Sequence, residues 1–233
     1  AAPEEANFTV RVFSGIDDPS MTSGQTTVYR DGLDVVQRRV SGPLQSYLQD
    51  QSVLYQTSSF FFSDHPQLEL ADGVRPRGKI TYMTGLFPSR AQVVKGRWPY
   101  TSDDDSIPLD EPLEVAIDTL GGELLQLGVG DEMDVFPAVG SERRLSMRVK
   151  IVGLFQRADL DDEFWYGVAR TFSHTEDQVA IVPLFTTENA ILEYVGHTYP
   201  GSYTDVRWFF YLDRRGLRAG DVGAIQDAIR QAE

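Results

Sequence analysis

The chain has 233 residues, of which 41% are hydrophobic and 11% aromatic, enough for a buried core in one or two domains. It carries 35 acidic against 21 basic side chains, a net charge of −14, so it is repelled by phosphate backbones and anionic membrane surfaces, and nucleic acid is not an expected partner. The absence of cysteine removes thiolate zinc sites, iron–sulfur clusters, disulfide scaffolds and cysteine nucleophiles together.

In chain order, residues 1–6 read as a lead-in with neither the basic nor the apolar region of a signal peptide. No run of about 18 apolar residues follows anywhere, so no membrane-spanning helix is expected within the chain. It reads as a mature protein or as a soluble piece of a longer one. Residues 7–15 alternate, with Phe8, Val10 and Val12 on one face, and predict a strand; residues 16–25 are turn-rich. Leu33, Val36, Val40, Leu44 and Leu48 form one helical stripe. Gly42-Pro43 interrupts it and predicts a kink or two short helices. A strand over 53–62 completes a first strand–helix–strand unit.

Residues 63–78 are polar and rich in Pro and Gly, a crossing segment. Strands follow at 80–83 and 91–94, the second closed by Gly96-Arg97-Trp98-Pro99. After an acidic loop over 101–112 comes a strand at 113–117. Asp118 is placed to cap a helix over 119–127, and Gly128 to end it. Strands are predicted at 132–136 and 145–155, then an acidic, aromatic loop over 156–176. A strand at 179–182 precedes a helix over 185–197, with Thr187 as cap and a stripe of Ala190, Ile191, Tyr194 and Val195. A strand at 206–212 with aromatic filling comes next. The final helix starts near Ala219, with Val222, Ile225 and Ile229 on one face. The fold class is therefore α+β: two strand–helix–strand units flank a central β-rich segment.

Few motifs carry chemistry. Gly73 to Lys79 has the G-x₄-G-K spacing of a phosphate cradle. Ile80 stands where a hydroxyl should meet magnesium, however, and Pro76 removes an N–H, so a basic turn is the plainer reading. Gly128-Val-Gly130 lacks a third glycine. His65, His174 and His197 are scattered, with no H-E-x-x-H, and no G-x-S-x-G elbow occurs. The acidic groups Asp103–Asp105, Asp131–Asp134 and Asp159–Glu163 read as solvated loops, with Asp159, Asp161 and Asp162 as a weak calcium candidate. Phe164, Trp165 and Tyr166 sit among acids in a predicted loop and form a candidate exposed contact patch. Asn7-Phe8-Thr9 is a glycosylation sequon, meaningful only in a secretory eukaryotic host. No catalytic, cofactor-binding or metal residue is assigned.

An ordered series of segments resembles the extracytoplasmic domain of MacB/FtsX-type ABC transporter permeases. It runs from Val93-Val94-Lys95-Gly96-Arg97-Trp98-Pro99 through Glu114–Ile117 and its helix to Leu127-Gly-Val-Gly-Asp131. It continues with Met147–Leu154, Val179-Ala-Ile-Val-Pro183 and Val206–Leu212 with the terminal helix. The match covers about residues 79–230; residues 1–78 match by their strand–helix–strand pattern alone. The resemblance implies an α+β porter-like lobe from residues 7–75 and 176–233, and an inserted β-rich sabre-like lobe from residues 76–175. It implies a non-catalytic domain without cofactor, on the extracytoplasmic face of a bacterial cytoplasmic membrane. Such a domain is carried on flanking transmembrane helices and works as a homodimer with a cytoplasmic ABC ATPase. It passes ATP-driven motion to an extracytoplasmic substrate or partner, and its start and end lie side by side facing the membrane. Two other readings stand beside it: a free ligand-binding domain or lipoprotein with an apolar pocket, and a secreted hydrolase with a histidine or acid pair in a cleft.

Overall fold

Alternation along the strands decides the architecture. The computed structural model describes residues 8–14, 24–62, 76–100, 107–138, 146–176, 179–199, 204–213, 215–218 and 220–232. The chain begins with β1 (Phe8–Ser14) and α1 (Gly24–Val36). A π-helical turn (Gln37–Ser41) leads to α2 (Gly42–Leu44), then β2 (Leu48–Thr57) and β3 (Phe60–Phe62). The middle contains β4 (Arg77–Met83), β5 (Ala91–Gly96), β6 (Leu113–Asp118), α3 (Thr119–Leu125), β7 (Glu132–Pro137), β8 (Met147–Arg157) and α4 (Phe164–Val168). The last part holds β9 (Thr175–Glu176), β10 (Val179–Phe185), a π-helical stretch (Ala190–Val195), α5 (Gly196–Thr198), β11 (Thr204–Leu212) and α6 (Asp221–Ala232). The fold is mixed α+β, with the eleven strands of the described residues joined in one mixed sheet.

Six strands close on themselves. β4 pairs with β3, β3 with β7, β7 with β8, β8 with β6, β6 with β10, and β10 returns to β4. The β6–β8 and β10–β4 pairs are parallel and the others antiparallel. With period-2 alternation, one residue set on each strand turns inward: Phe60, Ile80, Val115, Val135, Val149 and Val182 are representative, and each is fully buried. Gly78 belongs to this inward set. A Cβ there would lie 3.0 Å from both Leu184 Cδ1 and Phe62 Cζ, so the missing side chain makes room for its neighbours. The G-x₄-G-K glycine thus ends in a strand with ladder partners on both sides, Val182 and Phe60, and not in a phosphate loop. Residues 73–75 lie outside the described residues.

An antiparallel wing extends from the barrel. The second half of β4 pairs with β2, β2 with β11, and β11 with β1 at the edge. Val206, Trp208 and Phe210 of β11 share a buried cluster with Val36, Val40 and Leu44 of the first helical segment. Ile225 of α6 joins the same cluster, and Ile229 packs against it. Phe209 and Tyr211 point to the other face and belong to a second cluster. Both faces of β11 are covered, which is why Trp208–Tyr211 is continuously apolar rather than alternating.

Several expectations hold. The Leu33–Leu44 stripe faces the core, and the Gly42-Pro43 break is real. Pro43 has no N–H to donate and its ring crowds the preceding turn. That turn widens to π bonding, with the Gly42 N–H reaching the Gln37 carbonyl. Asp118 caps α3, its Oδ1 accepting from the Gly121 N–H, and Thr187 Oγ1 accepts from the Ala190 N–H.

Others are corrected. Leu48 opens β2 instead of closing a helix, because the Pro43 break lets the chain turn extended after a 3₁₀ turn at Gln45–Tyr47. The strand expected over 53–62 is two strands parted at Ser58-Ser59, where the chain leaves the wing for the barrel. The helix after Asp118 ends at Leu125, and Gln126 rather than Gly128 takes the left-handed conformation, with φ 55°. Val222 is 52% exposed, so α6 buries Ile225 and Ile229 only along its inner stripe. The predicted strand at 179–182 runs on to Phe185, as parallel pairing with β4 holds it to that point. The segment 156–176 is not a loop; it contains α4, a 3₁₀ turn (Ala169–Phe172) and β9.

Candidate functional site

The most organised chemistry outside the barrel lies where residues 158–174 cross the second face of the wing. Aromatic rings make an unbroken series there. Tyr211 stacks on Phe164 at 6.0 Å, Phe164 meets Trp165 edge-on at 5.1 Å, and Trp165 meets Phe172 at 5.5 Å. Phe172 stacks on Phe185 at 5.5 Å, and Phe185 touches Phe155 at 5.3 Å. Trp98 then links Phe155 at 5.5 Å to Phe87 at 5.0 Å, where the series reaches solvent with Phe87 42% exposed. Edge-to-face and offset contacts of this kind stabilise beyond simple burial.

Two guanidinium groups rim the series. Arg157 lies over Phe172 at 4.9 Å and over Trp165 at 5.6 Å. Arg90 lies over Phe164 at 4.2 Å while its Nη2 donates to Asp50 at 2.7 Å and its Nε to Asp162 at 3.1 Å. It therefore ties three separate parts of the chain: the start of β2, the loop before β5 and the segment before α4. Burial pushes the Tyr211 hydroxyl up to about 12, with the Ser52 hydroxyl pulling weakly the other way.

At the far end of the segment, His174 Nε2 lies 2.7 Å from Asp118 Oδ1, a bond that places the hydrogen on Nε2. Both groups are buried, at 8% and 4% exposure. The carboxylate that caps α3 thus also binds the segment's last residue. Neither this pairing nor the Arg90 staple is legible in the sequence. Asp118 reads as a helix cap from its own neighbours, and its second partner is 56 residues away. Arg90 carries no local signature at all.

The sequence-level candidates fall in different places. Phe164 and Trp165 are buried, at 2% and 3% exposure, so at these two positions of the expected exposed patch the chain has a buried anchor, the Tyr166 side chain lying outside the described ones; acids flank it because they bind Arg90 and the local backbone. Asp162 has both oxygens engaged, Oδ2 by Arg90 and Oδ1 by the Phe164 N–H, and Asp159 gives its carbonyl to Trp165 Nε1. Among the described residues no cluster of three or more His, Asp and Glu is arranged to hold a metal ion. In the Asp131–Asp134 stretch, Glu132 pairs with Lys150 at 2.8 Å and Asp134 with Arg148 at 3.7 Å across the β7–β8 ladder. Gly128–Gly130 forms the turn into β7, with Asp131 Oδ2 accepting from the Gly128 N–H. His197 is exposed at the end of α5's helical stretch. His65, Asp103–Asp105 and Asn7 lie outside the described residues. The Gly96-Arg97-Trp98-Pro99 step is structural: Arg97 makes a two-pronged bond to Glu114, at 2.5 and 2.7 Å, and Trp98 enters the aromatic series.

A second polar knot lies beneath the helical face. The Tyr29 hydroxyl donates to Glu188, and Tyr29 meets Tyr55 edge-on at 5.1 Å. Burial first, and the Glu188 bond second, raise the Tyr29 hydroxyl above its ordinary range; burial pushes Tyr55 up to about 12. The knot ties α1 to the turn after β10.

No protein-family model matches the chain, and no curated protein matches it in sequence. Among the described residues no helix is long and apolar enough to cross a membrane.

Proposed function

We propose that the chain is the non-catalytic extracytoplasmic domain of a MacB/FtsX-type ABC transporter permease, passing ATP-driven motion to a substrate or partner outside the membrane. The observation that carries this reading is the order of the wing, β1–β11–β2. Strands from the two ends of the chain are interleaved, with Phe8 paired to Phe210, so β1 starts at the end of the sheet where β11 finishes. A domain hung between two membrane helices needs its first and last elements together, and here β1 pairs with β11 while the final helix, α6, packs Ile225 and Ile229 on the cluster that β11 lines. The segments that carry the resemblance also fall in chain order along one sheet, on β5, β6, β8, β10 and β11, with Leu127–Asp131 at the turn into β7.

The porter-like part would be residues 7–75 and 176–233, and the sabre-like part residues 76–175. The pairs β3–β7, β3–β4, β4–β2, β4–β10 and β6–β10 cross between these parts. A mechanical element must be stiff, and backbone ladders of this kind resist bending between the two parts. Motion would then pass by rigid-body rotation against a second copy in the dimer.

Two measurements test the proposal. The reading frame around this segment is expected to encode an apolar stretch of about 20 residues before Asn7 and three after Glu233. A stop directly after Glu233, with only a cleavable leader ahead, overturns it. In the full permease, covalent crosslinking of the two copies of this domain is expected to abolish transport or partner activation. Undiminished activity in the crosslinked transporter sinks the mechanical role.

A further inference from the structure

We propose that residues 158–174 form a strap that opens as one unit, turning at Asp159 and His174, and uncovers the aromatic face of the β11–β2–β4 sheet. This inference is independent of the permease reading. Both turning points are non-glycine residues in the left-handed region, Asp159 with φ 43° and His174 with φ 55°. Such residues persist only while their surroundings hold them. Backbone bonds join the strap to the body at its ends, from the Ala158 N–H to the Arg90 carbonyl and from the Ile181 N–H to the His174 carbonyl. Between Arg157 and Thr175 no strand pairing among the described residues holds it.

What holds the middle is side-chain contact. Asp162 binds Arg90, the Tyr211 hydroxyl donates to the Phe164 carbonyl, and Phe164, Trp165, Val168 and Phe172 pack on Leu54, Phe185 and Phe209. His174 Nε2 bonds Asp118 Oδ1 at the strap's end, and further bonds lie within the strap. Asp162 N–H reaches the Asp159 carbonyl, Phe164 N–H reaches Asp162 Oδ1, and Trp165 Nε1 reaches the Ala158 and Asp159 carbonyls. A segment joined to the body by backbone bonds at its ends, and by side-chain contacts along its middle, lifts without breaking a sheet ladder. Units of this kind open below the free energy of global unfolding.

The cysteine-free chain makes the test clean. Val168→Cys places a thiol under the strap and Val115→Cys places one inside the barrel; the native residues are 1% and 0% exposed, and the substitution nearly conserves volume. Each labelling rate in native buffer is divided by that of the same variant unfolded in urea. The strap thiol is expected to label at least about tenfold faster than the barrel thiol. Adding Asp162→Asn is expected to raise the strap rate severalfold and leave the barrel rate unchanged. Equal rates at the two positions, or a parallel rise at both on adding Asp162→Asn, overturn the proposal. Should a cysteine variant not fold, hydrogen exchange on the unmodified protein tests the same opening. Amides of 160–172 are expected to exchange well before those of Leu113–Asp118, and simultaneous exchange overturns it.

Discussion

The barrel interior is mainly aliphatic and is carried on strands, with Leu113 beside Val149 and Val115 beside Ile151 on the β6–β8 ladder, whereas the cluster under the strap is mainly aromatic, and three of its seven buried rings, Phe164, Trp165 and Phe172, ride on a segment with no ladder. β-branched and aliphatic side chains interdigitate on a closed ring because the backbone already fixes their spacing. The strap has no such scaffold. It binds through a few large rings that each bury much area, and through two arginines that lie over ring faces. One region is therefore held by cooperative backbone pairing, the other by side chains that can be removed one at a time.

The largest expected effect tests the ring's backbone. A Cβ at Gly153 would lie 2.0 Å from the Arg97 carbonyl oxygen, where β5 crosses onto β8. Gly153→Ala is therefore expected to destabilise by about 3–5 kcal/mol in urea unfolding, since backbone and not a mobile side chain must yield. Leu113→Ala and Phe172→Ala form a matched pair. Leu113 is fully buried in the barrel, and its truncation is expected to cost about 2–5 kcal/mol in global stability. Phe172→Ala removes more surface, yet its global cost is expected to stay below about 2 kcal/mol, because the loss is capped once the strap is open. Equal global costs would erase the contrast between the regions.

Alkaline unfolding samples both clusters. Tyr55 and Tyr211 titrate near 12 in the folded protein against about 10 when unfolded, so the unfolded state loses protons first. Their contribution is complete below pH 10 and is lost as pH rises through about 12. Tyr211→Phe is expected to flatten that decline when stability is measured from pH 9 to 12.

Smaller still is the cap. Asp118→Ala is expected to cost about 1–2 kcal/mol through the lost α3 cap, and to speed exchange at the His174 end of the strap. The smallest effect is Arg97→Lys, which exchanges a two-pronged bond to Glu114 for a single one on a half-exposed surface. About 0.5 kcal/mol or less is expected by thermal unfolding.

Most element positions were legible because alternation and helical stripes are local signals. The β6 run Leu113–Ile117, the β8 run from Met147 and the Asp118 cap each lie within a few consecutive residues. The strap was not, because its acids and aromatics have the composition of a solvated loop; only the bare sheet face at Phe209 and Tyr211 and the remote Arg90 explain why Phe164 and Trp165 turn inward. The closed ring was equally hidden, since each of β3, β4 and β10 looks the same in sequence whether its second edge is paired or free.

Composition, charge and periodicity by themselves determined an α+β chain without thiol chemistry, the places of most of its strands and helices, and the apolar face of those that alternate. Tertiary structure alone decided that six strands close into a ring, that β11 slots between β1 and β2, and that Asp118 meets His174 and Arg90 meets both Asp50 and Asp162. The physical reason is range. Backbone propensity and amphipathic pattern act over a few residues, whereas strand partners and ion pairs are chosen by whichever distant surface offers complementary shape and charge once the chain has collapsed.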